Sequence, residues 1–291
     1  MQLVDLSGVL FSTMFSQADS ELSENLIRHQ VLNTLRTFNL KNREKYGQMV
    51  ICVDGGATWR REAFPQYKAS RATKRAKDDK DWDAIFKIFN TIQEELKDFV
   101  PFRYVHVVGV EADDVIATLV KHTQEGNEFG LGEAEPVLII SNDGDFLQLQ
   151  KYKNVRQFSP MKKILITESN PLNALREKVL RGDTGDGVPN VLSDDKVFVD
   201  GIRQTSLRAP QVETWLKNWS KLKQLMDEKT YRNLQRNQLL IDLDNIPLDK
   251  TELILNAYRE AKVAPNNKLM NYLITKRCGV LLESAQDFFS K

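Results

Sequence analysis

The chain has 291 residues, with 41 Lys and Arg against 40 Asp and Glu, two cysteines and three histidines. That length holds one large or two ordinary domains. The balanced charge gives no global field of the kind that announces nucleic acid, and two Cys with three scattered His argue against a structural zinc site.

The run Leu3-Val4-Asp5 reads as an opening strand. Met1 leads almost directly into it, so no signal peptide is expected, and no apolar run is long enough to span a membrane. The expectation is a soluble, cytoplasmic protein of a reducing compartment. Leu22, Leu26, Ile27, Val31, Leu35 and Phe38 recur at helical spacing. Residues 49–53 form an apolar, β-branched strand buried on both faces, and Cys52 within it is a small hydrophobe. The stretch 60–77 lacks an apolar stripe and is expected as an exposed loop or helix. Trp82 to Phe99 is a strong amphipathic helix opened by Asp79 and Asp81 and stopped by Pro101. A strand at 104–109, a helix at 113–123, a polar loop at 125–135 and a strand at 137–141 follow, then a hairpin between Val155 and Ile166. Beyond about residue 170 the signals are helical, except for a loop-like stretch at 190–212. Alternating strands and helices predict an α/β fold with a mainly parallel sheet and helices on both faces. The expected division is a core at 1–180 and a smaller helical region at 181–291.

Acidic residues recur where these strands end. Asp5 and Asp54 close the first two. Glu111, Asp113 and Asp114 follow the third, Asp143 and Asp145 follow the strand at 137–141, and Asp183 and Asp186 lie in the turn Gly182-Asp183-Thr184-Gly185-Asp186-Gly187. Ligands of open α/β sheets bind outside the carboxyl ends of the strands. Each acid alone reads as a cap or turn former. Nine carboxylates at one edge repel one another and require divalent cations or raised pKa values. Hard oxygen ligands favour magnesium, or manganese in its place. Two such ions about 4 Å apart can activate water and stabilise the leaving oxygen of a phosphodiester. No Ser–His–Asp or Cys–His arrangement competes, and His29, His106 and His122 read as structural or surface residues.

Between the second strand and the helix at 82–99, Arg60, Arg61, Lys68, Arg71, Lys74, Arg75 and Lys77 face only Glu62, with Trp59, Phe64 and Tyr67 among them. Aromatics interleaved with cations suit stacking on unpaired bases and neutralising phosphates.

These motifs together resemble the structure-specific 5′ nucleases, which include flap endonucleases and the 5′-nuclease domains of bacterial DNA polymerases. The resemblance is strongest to the group of T-even-type bacteriophage ribonucleases H. It is carried by Val53-Asp54-Gly55, Phe64 to Arg71, Glu111 to Ala117, Ser141 to Leu149 and Gly182 to Pro189, in the family's order. It implies a two-metal, magnesium-dependent 5′→3′ exonuclease and flap endonuclease with ribonuclease H activity in DNA replication, acting on DNA or RNA–DNA hybrids with 5′ ends. Asp113, Asp114, Asp143 and Glu111 would serve the first metal or its waters. Asp145, Asp183 and Asp186 would surround the second, with Asp5 and Asp54 orienting ligand waters. Lys68 and Arg71 would act on the scissile phosphate, Tyr67 would stack on a nucleotide, and about 56–100 would form an arch over a single strand. A monomer is expected, with single-stranded-DNA-binding protein and a sliding clamp as partners. One departure is that the family's glycine-rich continuation is replaced by Val188-Pro189-Asn190-Val191-Leu192-Ser193.

Two rival readings are a Toprim-type magnesium nuclease and a catalytically silent DNA-junction binder. The first leaves Asp5, Asp54 and the Lys68 segment unexplained. The second is opposed by the acidic set, because unneutralised carboxylates weaken DNA binding. The final Phe288-Phe289 pair reads either as a cap on the helical region or as a clamp-docking tail.

Overall fold

The computed structural model describes residues 1–15, 23–125 and 134–289, apart from the Lys74 side chain. Strand β1 (Gln2–Asp5) runs into helix α1 (Leu6–Phe15), and α2 (Glu24–Tyr46) leads to β2 (Met49–Val53). Short helices α3 (Trp59–Ala63) and α4 (Ser70–Arg75) precede α5 (Trp82–Phe99), β3 (Arg103–His106) and α6 (Ala112–Gln124). After β4 (Val137–Ile140) come a 3₁₀ helix (Gly144–Lys151), the hairpin β5 (Val155–Ser159) and β6 (Ile164–Ile166), and α7 (Pro171–Arg181). The rest is α8 (Ala209–Lys217), α9 (Leu222–Leu225), α10 (Glu228–Ile241), α11 (Leu248–Glu260), α12 (Asn266–Thr275) and α13 (Gly279–Glu283).

The six strands lie in the order β3-β2-β1-β4-β5-β6, parallel except for β5–β6. The chain winds outward from β1 to β3, then returns to place β4 on the other side of β1. This creates a topological switch point between β1 and β4, where such sheets open a crevice at their carboxyl ends. One face of the sheet packs on α1, α2 and α5, and the other on α6 and α11. The helix at 82–99 forms as its pattern dictates. Asp81 accepts a bond from Ala84 N at 3.0 Å, and Ile85, Ile88, Phe89, Ile92 and Leu96 turn one stripe inward.

Three expectations change. Helix α1 was not foreseen: Leu6, Val9, Leu10, Thr13 and Met14 form one buried stripe, but Phe11 and Phe15 on the other side blur that period in the sequence. The strand expected at 104–109 stops at His106, where Gly55 N bonds Val110 O at 2.8 Å and Gly109 takes a positive φ of 84°. The basic segment is not simply exposed: Trp59, Arg60, Phe64 and Tyr67 are buried. Leu22 and most of the loop at 125–135 lie outside the described residues. No helix among the described residues is long and apolar enough to cross a membrane.

Phe288 is fully buried against Phe102, and Asn39 Nδ2 donates to Asp287 O at 2.7 Å. Phe288 therefore folds back, as the first of the two readings holds, but onto Phe102 and the core beneath α2 and not onto the helical region. Phe288→Ala should cost about 3–5 kcal/mol, the range for truncating a buried Phe. Urea denaturation checks this, and an unchanged midpoint would contradict the packing.

Candidate active site

Asp5 leaves β1 at the switch point. Its Oδ1 accepts from Gly8 N at 3.1 Å and its Oδ2 from Ser141 Oγ at 2.9 Å, joining the ends of β1 and β4. A Cβ on Gly8 would sit 2.9 Å from Asp5 Oδ2, so any side chain there would displace that carboxylate. Asp54, at the end of β2, accepts from Ser7 Oγ at 2.7 Å and from Ala112 N at 2.9 Å. Asp143 caps the 3₁₀ helix through Asp145 N at 2.9 Å. The strands thus bring Asp5, Asp54, Asp113 and Asp143 to one edge.

The electrostatics of this group are unfavourable without a cation. Burial, followed by Asp54 and Asp143, pushes the Asp5 carboxyl up to about 6, although Gly8 and Ser141 oppose the shift. Burial and Asp143 raise Asp113 well above the carboxylate range, and burial with Asp186 and Asp183 raises Asp143 against Lys178. A carboxyl raised in the folded state stabilises the protein below its unfolded pKa and loses that contribution as pH rises through the folded value. The window for Asp5 runs from 3.8 to about 6. Asp5→Asn should therefore stabilise the metal-free protein at pH 8 by about 3 kcal/mol and leave it unchanged near pH 3.5. Thermal melts at both pH values test this; an equal effect at both would contradict it.

A second group lies beside the first. Asp145, Asp183 and Asp186 each offer an oxygen within 4.8 Å of the others. The ammonium of Lys178, on the last turn of α7, pairs with Asp145 and lies 2.7 Å from Asp183. Burial works against the Asp183 charge, but Lys178 and the Gly185 and Asp186 amides hold its carboxyl below the usual value. Lys178 was missed in the sequence. A lysine just before a helix-ending glycine reads as an ordinary partner of the helix dipole, and nothing local aims it at Asp145.

Lys68 adopts a φ of 55°, its N–H donating to Asp186 O at 2.7 Å. Its Nζ is 2.5 Å from Glu111 Oε1 and 3.6 Å from Asp186 Oδ2. Burial disfavours its charge, yet Asp186, Glu111 and Asp113 outweigh it and raise the ammonium pKa. Arg71 Nη2 reaches Asp186 Oδ1 at 2.6 Å while remaining substantially exposed. Arg61 and Lys77 are exposed, Arg75 stacks over Phe86 and the Lys74 side chain is outside the described set.

Several expected roles are corrected. Asp114 is fully buried and points away from the edge. Its Oδ2 takes Arg60 Nη1 at 3.0 Å, Trp59 Nε1 at 3.1 Å and Glu111 N at 3.0 Å, and Arg60 Nη2 lies 2.8 Å from its Oδ1, so the guanidinium is its counter-cation. Arg60, 2% exposed, is spent on Asp114, Glu111 and Leu240 O and cannot meet a phosphate. Tyr67 is buried, its hydroxyl bridging Glu111 and Asp186 at 2.8 Å each, so its ring is no stacking face in this arrangement. Glu111 is committed to Arg60, Tyr67 and Lys68.

Residues 1–178 match the family described as the 5′-3′ exonuclease N-terminal resolvase-like domain, and residues 169–288 match the T4 RNase H C-terminal domain. The chain is 34% identical to the ribonuclease H of Enterobacteria phage T4, covering 98% of this chain and 95% of that protein. It is 27% identical to a Streptomyces coelicolor 5′-3′ exonuclease over 65% of the chain and 66% of that protein. Among solved structures, the T5 5′-exonuclease with bound zinc superposes with a TM-score of 0.65 at 19% identity, covering 89% of this chain and 97% of that one. A T5 flap endonuclease complex with DNA and metal ions superposes at 0.60 and 23% identity, covering 89% of this chain and 99% of that one. At these identities the two T5 structures bear on the fold.

Proposed function

Because the chain belongs to the 5′-3′ exonuclease family, with a T4 RNase H-type C-terminal part, we propose that it is a divalent-metal-dependent 5′ nuclease. In this reading it hydrolyses phosphodiesters from the 5′ end of RNA–DNA hybrids and at 5′ flaps in DNA replication. The observation that carries the reading is the pair of adjoining carboxylate groups at the switch point, with two lysines aimed into them.

The donor set fits hard divalent cations, since every candidate ligand is a carboxylate and Lys178 already sits as a cation between two of them, Asp145 and Asp183. Asp5, Asp54, Asp113 and Asp143 would serve one magnesium and its waters, and Asp145, Asp183 and Asp186 the other. When bound, the ions supply an activated water and charge stabilisation for the leaving oxygen. Lys178 holds Asp145 and Asp183 in place and offsets their repulsion. Glu111 and the Asp186 carbonyl fix Lys68 beside the cleft, and its positive charge there meets the extra negative charge that develops on the phosphate. Arg71, Arg61 and Lys77 take the backbone of the incoming strand. Residues 181–291 are the proposed duplex-binding part, and single-stranded-DNA-binding protein and a sliding clamp the proposed protein partners.

Lys68→Ala should lower the single-turnover rate on the order of 10²–10³-fold with a small change in affinity, the scale of losing one preorganised charge-stabilising donor. A loss of affinity alone would make Lys68 a tether. The substrate reading is tested with a 5′-labelled flap duplex, an RNA–DNA hybrid and a closed single-stranded circle. Short 5′ products from the first two and none from the circle are expected. Cutting of the circle at a similar rate would overturn the requirement for a 5′ end.

A further inference from the structure

Helix α10 lies behind the second carboxylate group and presents Asn233, Arg236 and Asn237, spaced three and four apart on one face. All three are buried. Both asparagine amides and one Arg236 nitrogen donate to backbone carbonyls of the segments that carry the acids, while Arg236 Nη1 pairs with Asp195. Asn233 Nδ2 donates to Val191 O and Ser193 O, both at 3.0 Å. Arg236 Nη2 donates to Pro189 O at 2.9 Å, and its Nε to Asn237 Oδ1 at 2.9 Å. Asn237 Nδ2 donates to Val179 O at 2.8 Å and to Pro189 O at 2.9 Å.

The last pair is the informative one. Val179 directly follows Lys178, and Pro189 directly follows Val188, whose N–H and carbonyl pair with Asp183 at 2.7 and 2.8 Å. One fully satisfied amide therefore ties the helix end that aims Lys178 to the turn that aims Asp183 and Asp186. The backbone closes tightly here: a Cβ on Gly182 would lie 2.3 Å from Val188 O. The family's glycine-rich continuation is absent in this chain, and α10 supplies side-chain donors to carbonyls on either side of Pro189.

We infer that Asn237 is a positioning residue for divalent-metal binding at Asp145, Asp183 and Asp186, setting the distance between the α7 end and the acidic turn. It touches neither ion nor substrate. The inference rests on the metal-site reading above. Outer hydrogen-bond partners of metal ligands typically contribute 10–100-fold in metal affinity.

The test is Mn²⁺ binding to metal-free protein, followed by electron paramagnetic resonance of the free ion, without substrate. Asn237→Ser removes at least one of the two donations. Asn233→Ser removes equivalent buried bonds on the same helix, but to the carbonyls of Val191 and Ser193, farther along the chain from the acids. Asn237→Ser should raise the dissociation constant of one bound Mn²⁺ roughly 10-fold, whereas Asn233→Ser, with a comparable drop in Tm, should leave it within about 2-fold. Asn237→Gln keeps both amide hydrogens and shifts them by one methylene. It serves if the serine variant does not fold, and it should also weaken Mn²⁺. Wild-type affinity in the folded Asn237 variants, or an equal loss in Asn233→Ser, overturns the inference. A wild-type protein that binds no Mn²⁺ sinks the site reading itself, and the inference with it.

Discussion

Asp143→Asn should abolish cleavage, by on the order of 10³-fold or more, while leaving the protein folded and able to bind a 5′-flap duplex. The magnitude follows from removing a charge-stabilising group preorganised at the reaction centre. The fold should survive because asparagine is isosteric and can still accept the bond from Asp145 N at 2.9 Å. The turn is also held from outside the carboxylate. Gln157 Nε2 donates to Asp143 O at 2.6 Å and to Ser141 O at 3.2 Å, and Asp143 N donates to Ser141 Oγ at 3.1 Å. Loss of one negative charge beside Asp113, Asp183 and Asp186 relieves repulsion and should make the variant slightly more stable without metal. Single-turnover cleavage, flap binding in calcium and a thermal melt read the three parts. Near wild-type turnover at saturating magnesium would remove Asp143 from the site.

Asp114→Ala should have the opposite character and lose the fold before it loses chemistry. The carboxylate is the buried counter-charge of Arg60, with an Nη2–Oδ1 distance of 2.8 Å, and it also takes the Trp59 indole and the Glu111 amide. Removing one partner of a buried pair costs about 3–5 kcal/mol, and here only Glu111, 3.1 Å from Arg60 Nη1, remains as counter-charge. Trp59 Nε1 and Glu111 N lose their acceptor as well, so the upper end is expected. Arg60 Nε also bonds Leu240 O at 2.9 Å, so the damage should spread to α10. Equilibrium unfolding in urea measures this. A stable but inactive Asp114→Ala would return Asp114 to the metal site.

The contrast between these two aspartates marks how far the sequence could be read. Strand-terminal position was legible, because continuous apolar runs end at Asp5, Asp54 and Asp143 whatever the tertiary structure does. The mainly parallel sheet and the gathering of these acids at one edge followed from α/β winding, whereas the strand order came only with the structure. The direction of Asp113 against Asp114 was not legible. They are neighbours in sequence, and only the packing of Trp59 and Arg60 decides which one turns inward. The basic segment misled for the same reason, since buried Arg60 is as cationic in sequence as exposed Arg61. Lys178 and Asn237 lay out of reach because their partners are 33 and 58 residues away. The C-terminal phenylalanines were readable from burial, as Phe288 shows.

Cleavage of a 5′-labelled flap duplex by metal-stripped protein, titrated with magnesium, tests the central claim most directly. The account predicts no product in chelator, restoration by magnesium or manganese, and a dependence steeper than one ion, because two carboxylate groups must fill. Cleavage that persists unchanged in chelator would contradict it.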